Sequence, residues 1–236
     1  MHETKIFTWL SFLGLDQYPN HVVMTLVVVL VLVITTWIAR LQLNSAMRSA
    51  QGALIPDAQL SYRNFFEIVA ESLYNLTESV LGHHAAPTYF PVVGSLFVFI
   101  FCSNLLGLIP GILPPTENIN TTLALGLFVF IYYNVAGLRA NGLAYLRHFF
   151  GPVLWLAPLM FIIELASHIF RPLSLALRLR GNIMGDHVVL HVFSGLVPLL
   201  LPVIFYGLGA FVAFIQAFVF CLMTMVYISL SIAHDH

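Results

Sequence analysis

The chain is built of long apolar runs broken by short polar punctuation. Residues 22–39 form the cleanest run, with no charge inside, Trp37 near the end and Arg40 just beyond it. As a helix, such a run is long enough to cross a bilayer core. Two further spans follow: 90–113, with Asn104 inside and Pro110 near its exit, and 121–138, with Asn134 inside. Residues 57–82 follow a different pattern. Phe65, Phe66, Val69, Leu73, Leu76 and Val80 approximate one helical face, while Arg63, Glu67, Glu71 and Glu78 supply the other. That periodicity predicts an amphipathic helix at the membrane interface or against a partner. Residues 152–191 are apolar but studded with ionisable groups; 192–233 contain no charged residue. As helix, this last region would measure about 60 Å against a bilayer core of about 30 Å. Pro198 and Pro202 predict a break near its start, leaving two short spans or one long, tilted helix.

The expected fold is therefore an all-α membrane protein: one membrane domain over residues 1–236, with five to six embedded helices and an interfacial amphipathic helix. Continuous rather than alternating apolar runs argue against a transmembrane barrel. Composition agrees. Of 236 residues, 60% are hydrophobic and 8% charged, and the mean hydropathy of +0.94 excludes an ordinary soluble domain. A formal net charge of −1 offers no footprint for nucleic acid. Cys102 and Cys221 sit in apolar runs and imply no disulfide framework. The first twenty residues are mixed and polar-interrupted, which predicts no cleavable signal peptide. Arg40 and Arg48, then Arg139, Arg147 and His148, mark inner loops; the connector holding Glu117 is outer, the N-terminus outside and the C-terminus inside. His83 and His84 lack a second ligand pair and predict a loop, not a metal site. Asn104 and Asn134 predict hydrogen bonds between helices.

Chemistry concentrates in PLSLALRLRGNIMGDH, Pro172 to His187, which holds Arg178, Arg180, Asp186 and His187, with Glu164, Ser167, His168 and Arg171 just upstream. Ionisable groups at membrane depth are costly and face a protein interior or a wet cavity. At about 100° per residue, Glu164, His168, Arg171, Arg178, Asn182 and Asp186 share one side of a helix, flanked by Ser167 and Ser174. Glu164 and Arg178 stand about 21 Å apart along the axis, most of a bilayer core. The pattern predicts an ion path, and Arg178 heads its candidates because a guanidinium keeps its charge. Arg180, His187 and His191 point to a different side. The sequence shows no Gly-rich phosphate loop, metal cluster or nucleophile–base pair, so no catalytic, cofactor or metal residue is expected. From the residues alone, a secondary transporter of ions or substrate and a non-conducting scaffold remain open.

The run LSLALRLRGN, with Glu164 before it and the Asp186–His187 pair after it, resembles subunit a of F-type ATP synthases. Supporting stretches are FCSNLLGLIPG (101–111), PTENINTTLALG (115–126) and IQAFVFCLMTMVYISLSIAHDH (215–236), and the resemblance covers about residues 20–236. It implies a hairpin of two long, tilted helices and a proton-translocating, non-catalytic stator subunit. Two offset half-channels would meet a ring of subunit c, with Arg178 between them. Glu164, Ser167 and His168 would line the inner path; Asn182, Asp186, His187 and, from the last helix, Gln216 would line the outer one. Leu173, Leu175, Leu177 and Leu179 would slide against the ring. The implied partners are the c-ring, peripheral-stalk subunit b, the other ATP synthase subunits and the lipid bilayer, with no nucleic acid. The implied location is a bacterial inner membrane, or alternatively that of an energy-coupling organelle. One departure stands out. Many bacterial members place a histidine on the last helix opposite a small residue on the Arg-bearing helix. Here Asp186 takes the small residue's place and Gly209 faces it, which implies different wiring of the outer path.

Overall fold

A computed structural model describes residues 19–47, 62–109, 111–142, 145, 157–196 and 200–233. Among them are six α-helices: α1 (Asn20–Met47), α2 (Tyr62–Leu81), α3 (Ala86–Leu106), α4 (Ile119–Asn141), α5 (Ala157–Leu196) and α6 (Leu200–Ile232). A 3₁₀ turn, Pro115–Glu117, joins α3 to α4, and the described residues contain no strand. All but α2 are long and apolar enough to span a membrane. The protein is thus an all-α, multi-span membrane protein with one amphipathic helix beside the spans.

The α5–α6 hairpin dominates. Its helices have 40 and 33 residues, which at the α-helical rise is about 60 Å and about 50 Å. Neither fits a core of about 30 Å unless it tilts. The region after residue 192 does not make two short spans, because α6 runs unbroken from Leu200 to Ile232. Pro202 falls in its first turn, where an absent N–H costs no intrahelical bond. Pro172 lies inside α5, and there it removes a bond to the carbonyl one turn earlier. Its own carbonyl presses on α4 at Gly126, where a Cβ would come within 2.6 Å of the Pro172 oxygen. A glycine here lets the two helices approach closely.

The core lies where α3, α4, α5 and α6 meet, with Val93, Ile100, Tyr133, Leu175, Leu179, Phe220 and Ile228 among its buried members. The amphipathic α2 packs on α3 and α6, burying Leu73 and seating Val69, Leu76 and Val80 against the core. Phe65, expected on that face, is 58% exposed. By contrast, α1 buries little beyond Met24 and Val28 and exposes Leu26, Leu30 and Trp37, as an apolar helix against lipid does.

Helix α3 stops at Leu106 rather than running to 113. Gly107 closes it with bonds to the Asn104 and Leu105 carbonyls, short turns follow through Ile109, and Gly111 takes φ 85°. His83 sits in the α2–α3 turn, 2.6 Å from the Glu78 carboxylate. The bundle has two distinct ends. At one, Asn118 Nδ2 lies 3.2 Å from His21 Nδ1, joining the starts of α4 and α1. At the other, Asn141 Nδ2 donates to the Ser231 and Ala233 carbonyls at 3.1 and 3.2 Å. The expectations on residues 1–18, Arg48, Arg147 and His148, and on the side chains of Arg63 and His191, lie outside the described residues.

Candidate proton path

Arg178 sits at the middle of α5 on a face that no other part of the described chain covers. Ser174, Leu177, Gly181, Asn182 and Gly185 are exposed with it, and a Cβ added at Gly181 or Gly185 would meet nothing within 4 Å. The four alternating leucines do not share this face. Leu175 and Leu179 are 2% and 0% exposed, whereas Leu177 is 49% exposed. Helical geometry forbids the shared face: residues two apart swing by about 200°.

The expected stripe is slanted rather than straight. At about 100° per residue, Ser167 and Ser174 stay close to Arg178 in azimuth, while His168 and Asp186 both lie about 80° round from it. Ser167 accordingly lies on the open face, whereas His168 is buried and Asp186 half-buried. The structure brings His168, Glu164 and Arg171 together at one end, and Asn182, Asp186, His187 and Gln216 at the other. Ser167 is exposed on α5 between Glu164 and Arg171.

At the end nearer the start of α5, Glu164 Oε1 lies 3.7 Å from an Arg171 guanidinium nitrogen. That guanidinium sits 5.4 Å over the Tyr227 ring, a cation–π placement. His168 is wedged edge-on between the Tyr133 and Phe130 rings. Its Nε2 is 3.0 Å from Asn134 Oδ1, and the Asn134 amide is oriented by donating to the Phe130 carbonyl at 2.7 Å. Tyr145 also donates to Asn134 Oδ1, at 2.9 Å. Burial holds the Tyr145 phenol above its ordinary value, so it acts as a neutral donor. Asn134 therefore serves as a hub between helices, and neither it nor Tyr145 was a path candidate from sequence.

At the other end, Asn182 Nδ2 donates to Gln216 Oε1, and Gln216 is buried. Asn182, Asp186 and Gln216 line an open groove of about 510 Å³, walled by Leu208, Phe211 and Ile215. The same three residues, with His187, Asn104 and Gly209, line an inner void of about 20 Å³. That is room for about one water molecule. Behind the void, His187 Nε2 lies 3.2 Å from the Gly107 carbonyl oxygen, and its Nδ1 lies 3.3 Å from Glu117 Oε2.

Glu117, which the sequence places in an outer connector, is brought against His187 by the fold. The connector folds inward as a plug. Thr116 is fully buried and donates to Asn104 Oδ1 at 2.8 Å. Asn118 caps α4 by accepting from the Asn120 N–H at 2.9 Å. Arg180 Nε donates to the Glu117 carbonyl at 3.3 Å. Outside the plug lies a cavity of about 420 Å³ lined by His21, Glu117, Asn118, Arg180 and Met184, among others. The available signal was an acid between two prolines and an N-cap asparagine: a chain too constrained to wander from the helix ends.

Five spans and a long hairpin set with ionisable groups define a multi-pass, all-helical membrane protein. The family described as ATP synthase A chain matches residues 21–229. ATP synthase subunit a of Bdellovibrio bacteriovorus is 49% identical over 204 residues, 84% of this chain and 89% of that protein. ATP synthase subunit a 3 of Pelobacter propionicus is 40% identical over 238 residues, 98% of each. The Geobacter sulfurreducens subunit a is 47% identical over 174 residues, 74% of this chain and 76% of that protein. The chain belongs to the ATP synthase subunit a family. It is a multi-pass protein of the bacterial inner membrane, in a family of ATP synthesis and proton transport, and membership sets the transporter and scaffold alternatives aside.

Proposed function

We propose that this chain is the proton-conducting stator subunit of a rotary ATP synthase, with Arg178 separating two offset half-channels against a ring of subunit c. One observation carries the reading: Arg178 stands exposed at mid-helix, on a face left open within the chain, although a bare guanidinium at membrane depth is costly. A partner helix bearing a carboxylate meets that need. Beside a fixed cation the carboxylate favours its ionised form, so it gives up its proton on one side of Arg178 and is reprotonated on the other. The cation also blocks direct passage between the half-channels. Glu164 and His168, with Asn134 and Tyr145 as support, serve the inner path, and Ser167 faces the ring. Asn182, Asp186, His187 and Gln216 serve the outer one. The groove along α5 and α6 is the ring's seat. Subunit b and the remaining subunits hold the chain against rotation, and nucleotide chemistry lies on other subunits.

The test is Arg178→Lys in the assembled complex. An ammonium keeps the charge but not the planar, delocalised guanidinium. Coupled ATP synthesis is expected to be abolished while the complex still assembles. Normal coupled synthesis in that variant overturns the proposal.

A further inference from the structure

We propose that Glu117 and His187 together form a one-proton site at the entrance of the outer path, with Glu117 as its vestibule-facing carrier. The inference rests on the proton-path reading above and adds a residue which that reading does not include. It starts from the two contacts of one imidazole. The Gly107 carbonyl, 3.2 Å from His187 Nε2, can only accept, so Nε2 carries a hydrogen. Nδ1 then meets Glu117 Oε2 at 3.3 Å in one of two loaded states. An imidazolium faces a carboxylate, or a bare Nδ1 faces a carboxylic acid. Each state holds one proton between the same two atoms. Removing it sets a lone pair against a buried carboxylate oxygen, an arrangement that burial penalises. The emptied pair therefore refills.

Its position gives that proton a source and a destination. Glu117 lines the 420 Å³ cavity with His21, Asn118 and Arg180, and His187 lines the one-water void with Asp186, Asn182 and Gln216. A proton taken from the cavity by Glu117 moves to Nδ1. The imidazolium then gives its Nδ1 proton to water of the void, toward Asp186, which leaves His187 neutral with its Nε2 hydrogen kept and Glu117 ionised, the starting forms. Among the described residues, the other groups facing the pair are few. From α5 these are Arg180, whose Nε holds the Glu117 carbonyl, and Asp186. From α1 there is His21, reached through Asn118. The neighbouring α3 and α4 contribute neutral Asn104 and Asn118, and α6 contributes Gln216 and Gly209. Arg180 acts here as a positioning residue that pins the plug.

The experiment reconstitutes the assembled complex in liposomes and follows ATP synthesis as the pH of the outer bath is varied at constant total driving force. Glu117→Gln is expected to lose most of the rate and to flatten the dependence on outer pH, and Glu117→Asp to restore part of both. Combining Glu117→Gln with His187→Gln should be no slower than the slower single variant, since the pair is one site. An unchanged rate and pH profile in Glu117→Gln overturns the inference. So does a slowed enzyme with an unchanged profile and additive losses, the signature of mere packing support. If Glu117→Gln fails to assemble, Glu117→Asp decides: a shifted profile supports the relay, and an unchanged one overturns it. Arg178→Lys, run alongside, tests the underlying reading separately, because coupled synthesis in that variant sinks the path whatever Glu117 does.

Discussion

Arg178 and Arg180 are two residues apart and meet different surroundings. The first is exposed on the open face; the second is half-buried, with its Nε donating to the Glu117 carbonyl. Arg180→Lys keeps a cation but removes the Nε donor. We expect a partial loss of ATP synthesis with assembly intact, milder than that of Arg178→Lys; equal losses would show that the two arginines share one role. Asp186 sets a second test. Asp186→Asn should cut synthesis strongly, and a histidine placed at Gly209 across the void should restore part of it. A Cβ at Gly209 would lie 2.7 Å from a Leu108 methyl, so adding Leu108→Ala should improve the rescue. A damaged Asp186→Asn that neither change helps would reject Gly209 as the facing position. Asp186 and His187 stand out in the sequence because ionisable groups in an apolar run demand explanation. Glu117 does not, because an acid in a connector carries no such demand. Its contact with His187, seventy positions away in the chain, is one that no local pattern encodes.

At the scale of elements, apolar periodicity located each helix but not its ends. Ends depend on local closures such as the Gly107 turn, the Asn118 cap and the placement of Pro202 in a first turn, and these compete with apolar runs that continue past them. The amphipathic pattern of α2 was correct in kind, but which elements it packs on is a tertiary fact. Helix contact also singles out one glycine. Gly126→Ala would push a Cβ to 2.6 Å from the Pro172 carbonyl oxygen, and backbone cannot turn aside as a side chain can. We expect α4 and α5 to be forced apart at a cost of about 1–3 kcal/mol, read as a lower thermal midpoint or lower yield of the assembled complex. Gly94→Ala, whose Cβ would meet only the Phe90 ring at 3.6 Å, is the matched control and should leave both unchanged. Equal stability of the two variants would mean that the α4–α5 approach carries no such constraint.

For the whole molecule, the arrangement turns on sidedness. Positive residues at Arg40 and Arg139 predict that those helix ends lie inside, and the structure groups the opposite ends, at His21 and Asn118, around the 420 Å³ cavity. As the mouth of the proposed outer path, that cavity is expected to open to the outer face. The opposite end of the bundle, tied by Asn141 to the last turn of α6, is expected to open to the inner face. Both assignments can be tested in one chain. Cys102 and Cys221 are first replaced by serine, and then a single cysteine is introduced at Met184, which lines the cavity and is 50% exposed, or at Ala140, which is exposed near the end of α4. A membrane-impermeant thiol reagent applied to intact spheroplasts should label the first and spare the second, and inverted vesicles should reverse the pattern. Labelling of Met184→Cys should also slow ATP synthesis, because the adduct fills the approach to Glu117. Labelling of Ala140→Cys from the outer face would invert the whole arrangement and exchange the inner and outer paths. Labelling of Met184→Cys without any loss of rate would leave the sidedness standing and remove the cavity from the route.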